Sequence, residues 1–552
     1  MFACSNGENS DVRIVGGDKY GGVFSWNETE AVRSIFPLNM TQAASYRVIA
    51  PVYEGLVRFS ATDLSIEAGL AESWKMFENG RVFEFALREG VRFHDDPCFP
   101  EGKGRELTVD DVVWCLTQVC VADERNQMFW LFQDQVLGAN ECYQRTRAGK
   151  KNGVSVEGIT GRNEDRVVRI ELISPNPGFL GILGHQGCWI YPKEFVEFHQ
   201  EEIDVNAVGT GPFRLRKNEP GSVTLLERNP DYWRRSEEGD PLPYLDAVKI
   251  SYLPKVSAEI AHFMKGNLSI VHELPLSELG LVDQVGAEGQ VDYQVSTAPS
   301  LTVQFYCFNT NTEPFNNPLV RRAIAMSIDK QFIVDSVLSG QAVAATGGIV
   351  PPFFKDYPAV EGLKYAPDSA RALLAAAGYP NGNGFPVLTL QFSGNGFGYV
   401  DVANAVQFMI KENLNLRVPI SAIPSEQYFE IVETGQARFW REGWLADHPD
   451  PENFLTLFYG KNAPDAPNAR TYLNTTRFSN KRFDSLFVAA SQATDPLQRY
   501  ALYSAADQVF VDEAPAIPIY FTNSTRLVRS DIRGLEHNGM EMIELSSVYF
   551  ER

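Results

Sequence analysis

Residues 70–93 read LAESWKMFENGRVFEFALREGVRF, and Glu78-Asn79-Gly80 within them is a turn signal between two alternating runs. That pattern predicts a β-hairpin. Val82, Phe83, Phe85 and Leu87 mark its second strand, and Gly90 opens the next turn. Just downstream, Thr108-Val109-Asp110-Asp111 precedes an apolar-periodic run over 112–119. Thr108 can cap the first turn, and two acids there suit the positive end of a helix. The same alternation of strand and helix extends in both directions. VRIVGG at 12–17 reads as a first strand and turn, and YEGLVRF at 53–59 begins a new unit after a helix. A mixed unit ends near CWIYP at 188–192, and GTGPF at 209–213 leads into a strand over 223–228. A strand over 301–308 passes through Asn309-Thr310-Asn311 to a helix over 318–328, and the alternation ends at 515–521. This is the signature of an α/β architecture. The chain has 552 residues, and single cores rarely grow beyond about 250–300, so two or three lobes are expected.

Composition narrows the partners. Apolar residues make up 44% and charged residues 22%, an ordered globular mixture. Acids outnumber Lys and Arg by 70 to 49, for a net charge of −21. Such a surface repels phosphate backbones, and no basic run offsets it, so no nucleic-acid partner is expected. No stretch approaches the length of a spanning apolar helix.

Read in order, five stretches resemble the extracytoplasmic solute-binding proteins of the peptide/nickel family, which includes oligopeptide- and dipeptide-binding proteins of ABC importers. They are YEGLVRF with the 70–93 hairpin; LTVDDVVWCL; GTGPFRLRKNEPGSVTLLERNPDYW; FNTNTEPFNNPLVRRAIAMSIDK; and EGWLADHPDPENFLTLFYG with NTTRFSNKRFDSL. They span about 50–521. Each is weakly specific alone; the ordered set is the signal. The resemblance implies a two-lobed periplasmic-binding-protein clamp with an additional third domain. Residues 1–19 would be a tether, 20–55 with 190–298 and 515–552 a discontinuous lobe I, 56–189 the additional domain II, and 299–514 lobe III. A ligand would bind between the lobes, which close about a hinge. The implied function is capture of a peptide for the membrane subunits of an ABC importer, by a monomer without catalysis, cofactor or metal. An oligosaccharide, nickel or haem ligand on the same fold is the alternative.

The resemblance also points to a site. Trp444-Leu445-Ala446-Asp447 matches the segment in which an aspartate of the family binds the peptide's α-ammonium group. A carboxylate desolvated by closure needs a cationic partner, and charge-assisted hydrogen bonds of this kind contribute roughly 1.5–3 kcal/mol. Asp447 read alone is equally a solvated loop acid or a cap near Pro449, and Trp444 a cleft wall or a core residue. Arg441 occupies the place of an arginine that faces the carboxylate end in oligopeptide binders; its plain reading is an exposed strand residue. The 301–308 strand is expected to pair with the ligand main chain, which would admit many side-chain sequences. No second basic residue stands near Val432, where some oligopeptide binders place one, so ligand length is left open.

At the N-terminus, Phe2-Ala3-Cys4-Ser5 resembles the end of a lipoprotein signal, whose cysteine carries the lipid anchor. The expected location is therefore periplasmic or extracytoplasmic, anchored through Cys4 to a bacterial membrane. Cys98, Cys115, Cys120, Cys142, Cys188 and Cys307 form an even set, compatible with disulfides or with buried thiols. His94-Asp95-Asp96 reads as a solvated turn rather than a metal site, and the glycine-rich 394–398 as a flexible turn without a phosphate-loop lysine. No GxSxG elbow occurs, and no pair of carboxylates stands out for glycoside chemistry.

Overall fold

A computed structural model describes residues 17–40, 42–150, 153–274, 282, 291–354, 356–393, 398–464 and 466–552. The expected first strand at 12–16, Cys4 and most of the glycine-rich 394–398 lie outside the described residues.

The 70–93 hairpin forms as its sequence dictates. Ala71–Phe77 pairs antiparallel with Val82–Leu87, and Glu78, Asn79 and Gly80 turn the chain with positive φ. Val82, Phe83, Phe85 and Leu87 are buried. Two further strands, Val167–Glu171 and Ile159–Arg162, complete a four-stranded sheet. The helix Val109–Gln118 packs beside it, opened by a reciprocal cap. Asp111 N–H donates to Thr108 Oγ1 (3.3 Å), and Thr108 N–H donates to Asp111 Oδ2 (2.8 Å).

A second four-stranded sheet joins distant parts of the chain. Val23–Glu28 lies parallel to Ala247–Tyr252, followed by Val223–Arg228 and Phe213–Glu219. These two sheets bury their apolar faces in one continuous core, from Phe24 and Trp26 through Phe83 and Phe179 to Val248 and Val548.

The third sheet runs Ile270–Val271, Ala516–Arg529, Tyr293–Phe308, Phe439–Leu445, Leu390–Ser393, Ile420–Ile423, with Ala342–Ala344 also on Ala516–Arg529. Tyr293–Phe308 and Ala516–Arg529 are the long members, paired antiparallel along most of their length with a register shift between Pro299 and Val303. At one end Leu527 packs with Ile260 and Phe263. At the other, Val303, Phe305 and Cys307 face a core with Trp440 and Phe510, while Tyr306 and Phe308 face one with Phe439 and Ile519. Two long strands therefore carry the chain between separately packed regions, the arrangement a hinge requires.

All six described cysteines are free thiols, five of them buried and Cys98 half-buried. His94 is buried and bonds through its ring to Gly211 O at 2.9 Å, so it belongs to the core and not to a solvated turn.

Candidate ligand-binding cleft

The strand Phe439–Leu445 builds the site by alternation. Its inner edge pairs with Tyr293–Phe308, from Thr302 opposite Leu445 to Phe308 opposite Phe439. In an antiparallel ladder, successive residues direct their N–H and C=O groups to opposite edges. Ala446 N–H donates to Leu301 O (3.0 Å), and Asn309 N–H donates to Arg438 O (3.0 Å), so even-numbered residues face inward. Arg441, Gly443 and Leu445 therefore present their backbone groups to the outer edge. Among the described residues, Leu390–Ser393 covers that edge only at Phe439 and Trp440. Tyr428 Oη–H donates to the Arg441 carbonyl. The outward groups of Gly443 and Leu445 have no backbone partner among the described residues.

This corrects one expectation. The 301–308 strand is central, with Phe439–Leu445 on one edge and Ala516–Arg529 on the other from Val303 to Cys307. Its hydrogen bonds there are spent inside the sheet. The open edge belongs to the next strand out.

Beyond Leu445 the chain turns through Asp447 into the short helix Glu452–Leu455. Asn453, 1% exposed, fixes that turn. Its Oδ1 accepts two donors, the Trp444 indole N–H at 2.8 Å and the Asp447 backbone N–H at 3.0 Å. That leaves Asn453 Nδ2 to donate to His448 Nδ1 (3.1 Å), and His448 Nε2 lies 3.2 Å from Glu452 Oε2. Trp444 is 8% exposed and packs in the core, its ring 5.8 Å from Tyr472, so it supports the site mainly from beneath. Ala446 is buried, and Leu445 half-buried.

Asp447 itself is held by its backbone and left open at its carboxylate. The side chain is 28% exposed and accepts no hydrogen bond among the described residues; His185 Nε2 stands 3.9 Å from Oδ1. It is not a cap, since Asp450 Oδ1 takes the Glu452 N–H at 2.9 Å. Unpaired, partly desolvated carboxylates are unfavourable unless a ligand completes them.

Arg441 is placed differently. Its guanidinium lies 3.4 Å from the Tyr399 ring centroid, and Nη2 donates to Gln304 Oε1. Gly443 makes room for both: a Cβ there would stand 2.7 Å from the Gln304 amide and 2.9 Å from Arg441 Nη2. On the opposite face, Glu442 Oε2 accepts from the Trp440 indole (3.0 Å) and Thr475 Oγ1 (2.9 Å), and burial pushes its carboxyl pKa up. Gln304, Tyr306, Tyr399, Arg441 and Tyr520 line a small recess beside the open edge. Sequence reading missed Asn453, His448 and His185. The available signal was Trp444 and Asp447 both needing an acceptor close to a turn whose first buried amide side chain is Asn453.

Comparison with known proteins places this geometry. The sequence matches the description "Bacterial extracellular solute-binding proteins, family 5 Middle" over residues 65–465. It is 26% identical over 537 residues to the oligopeptide-binding protein OppA of Bacillus subtilis, covering 94% of this chain and 91% of that protein. It is 26% identical over 542 residues to heme-binding protein A of Haemophilus influenzae, covering 94% and 91%. Among solved structures, the periplasmic binding protein DppA of Helicobacter pylori, in complex with peptide STSA, superposes with a TM-score of 0.79 at 24% identity, covering 97% of this chain and 99% of that one. The fold is the two-lobed clamp of such binding proteins. No helix among the described residues is long and apolar enough to cross a membrane. With a match spanning residues 65–465, this chain belongs to the family 5 bacterial extracellular solute-binding proteins.

Proposed function

We propose that the protein is the peptide-capturing, extracytoplasmic component of an ABC importer. The observation that carries the reading is an open strand edge ending at an unpaired carboxylate. An extended peptide running antiparallel to Phe439–Leu445 would bond to the outward groups of Leu445 and Gly443, with its α-ammonium at Asp447. Main-chain pairing of this kind accepts many sequences, while the ammonium fixes the register. Relatives named for oligopeptides and for dipeptides support the class of ligand.

Arg441 is proposed to face the carboxylate end. Six residue steps of extended chain lead from it to Asp447, a path of about 20 Å. Only an oligopeptide spans that distance; a dipeptide would leave Arg441 on Tyr399 and Gln304.

The division into 20–55 with 190–298 and 515–552, 56–189, and 299–514 is part of the same proposal. It is supported by two four-stranded sheets falling in the first two parts, with long strands leading to the third. Lipidation at Cys4 is proposed from the sequence of that junction alone. Palmitate labelling of the full-length precursor, lost in Cys4→Ala, tests it.

Extraction of ligand from protein purified without refolding, followed by mass spectrometry, tests the ligand class. Peptide ions are expected. A haem absorption band or oligosaccharide masses in stoichiometric amount would replace the peptide reading.

A further inference from the structure

Asp447 is faced from across the cleft by a single described group. His185 caps the short turn Gln186–Cys188, and its Nδ1 accepts the Gly187 backbone N–H at 3.0 Å. A neutral imidazole with Nδ1 accepting must carry its proton on Nε2. Nε2 is the atom that points at Asp447 Oδ1, 3.9 Å away. The ring is 2% exposed and stands edge-on to Trp130, with centroids 5.5 Å apart and planes at 81°, so its aim is fixed. Around it the two sides approach closely. A Cβ built on Gly181 would lie 3.4 Å from His448 Cδ2, and one on Gly178 2.7 Å from Arg499 Nη2. Arg499 is in turn paired with Asp450 at 2.8 Å.

We propose that His185 is a positioning residue that completes the ammonium subsite from the opposite side of the cleft. The inference rests on the reading of Asp447 as the ammonium's partner. At 3.9 Å from Oδ1, Nε2 is about 0.7 Å outside hydrogen-bond range, so a small further approach of the two sides makes the bond. A carboxylate has lone pairs enough for the ligand ammonium on one oxygen and His185 on the other. Recognition of the ligand's charged end and closure of the cleft then meet on one carboxylate, which no residue on the Asp447 side achieves alone.

His185→Asn separates the two jobs of this side chain. Asn Oδ1 can still cap Gly187, whereas its shorter amide no longer reaches Asp447. The variant is expected to melt with wild type, yet to bind a free-amine tetrapeptide five- to tenfold more weakly by calorimetry. Introduced into Asp447→Asn, the same change is expected to cost less than twofold, because the partner it acts through is gone. His185→Gln, whose longer amide can reach the carboxylate, should recover part of the loss. An equal loss in both backgrounds would make His185 merely structural and overturn the proposal. So would undiminished affinity in His185→Asn when Asp447→Asn alone is impaired. If Asp447→Asn itself binds the free-amine peptide as wild type does, the ammonium reading fails first, a distinguishable result.

Discussion

Arg441 lies within the Phe439–Leu445 strand and Asp447 two residues beyond its end, and the structure treats these two charges in opposite ways. Arg441 has its guanidinium over Tyr399 and bonded to Gln304, and its carbonyl taken by Tyr428. Asp447 has its backbone N–H taken by Asn453, while its carboxylate accepts nothing among the described residues. The protein has invested structure in placing Asp447 without satisfying it. That is what the proposed ligand role requires of it: the backbone is fixed and the charged head is left without a partner among the described residues. Arg441 can serve a ligand only by giving up partners that it already has.

The contrast breaks most severely at Asn453, whose carbonyl oxygen serves Trp444 and Asp447 together. Asn453→Leu would leave the buried Trp444 indole N–H and the partly buried Asp447 N–H without their acceptor and lower stability by roughly 2–4 kcal/mol. Urea denaturation measures this, and peptide affinity should fall with it because Asp447 loses its pose. A loss under about 0.5 kcal/mol would mean that the turn is held by something else.

Stability alone should also separate the two residues. Arg441→Met is expected to cost about 1–2 kcal/mol in the ligand-free protein through the Gln304 and Tyr399 contacts. Asp447→Asn should be neutral or slightly stabilising, within about 0.5 kcal/mol, since it removes an unpaired charge. Equal costs would erase the distinction between them.

Much of the scaffold on which these residues sit was legible in the chain. The Glu78-Asn79-Gly80 turn and the Thr108–Asp111 cap are local decisions, made by residues close in sequence, and both form as read. The helix after Asn317 was also readable, though it ends at Met326, where Ser327 serves as C-cap, rather than at 328. The ordered motifs identified the family. Which edge of the sheet is open was not legible, because it depends on partners 130 to 220 residues away, and the expectation fell on the wrong strand. His185 escaped for the same reason, since only the fold brings it to Asp447, whereas Asn453 stands six residues beyond Asp447 and its local signal was passed over. An even number of cysteines permits disulfides, yet all six described cysteines are free thiols, although Cys115, Cys120, Cys142 and Cys188 share one core.

A pH effect should arise away from the cleft, which makes it a control on the site variants. Burial raises the Asp507 carboxyl to about 7 and that of Glu259 to about 8, against about 4 in an unfolded chain. Between those values these two carboxyls are protonated in the folded state and ionised in the unfolded one, so their contribution to the unfolding free energy should fall as pH rises from about 4 to 8, against an opposite contribution below about 6.5 from His94 and His537, which burial lowers to about 4. Asp507→Asn should flatten part of that slope in thermal melts.

A smaller effect probes the open edge. N-methylating the ligand amide that faces Gly443 or Leu445 removes one main-chain hydrogen bond, for a loss of about three- to tenfold. Methylating the amide between them, which faces away, should cost little. The same penalty at every position would mean that the ligand does not pair with this strand.

The most direct measurement is a calorimetric cycle on Asp447 and the ligand's amino group. Wild type and Asp447→Asn are each titrated with one tetrapeptide, as the free amine and as its N-acetyl form. Each single change is expected to weaken binding by about 10–100-fold, as when a desolvated pair loses one partner. Together they should weaken it little further, because both remove the same contact. If the two losses instead multiply in full, Asp447 and the ammonium do not meet, and the unpaired carboxylate at the end of the strand awaits some other group.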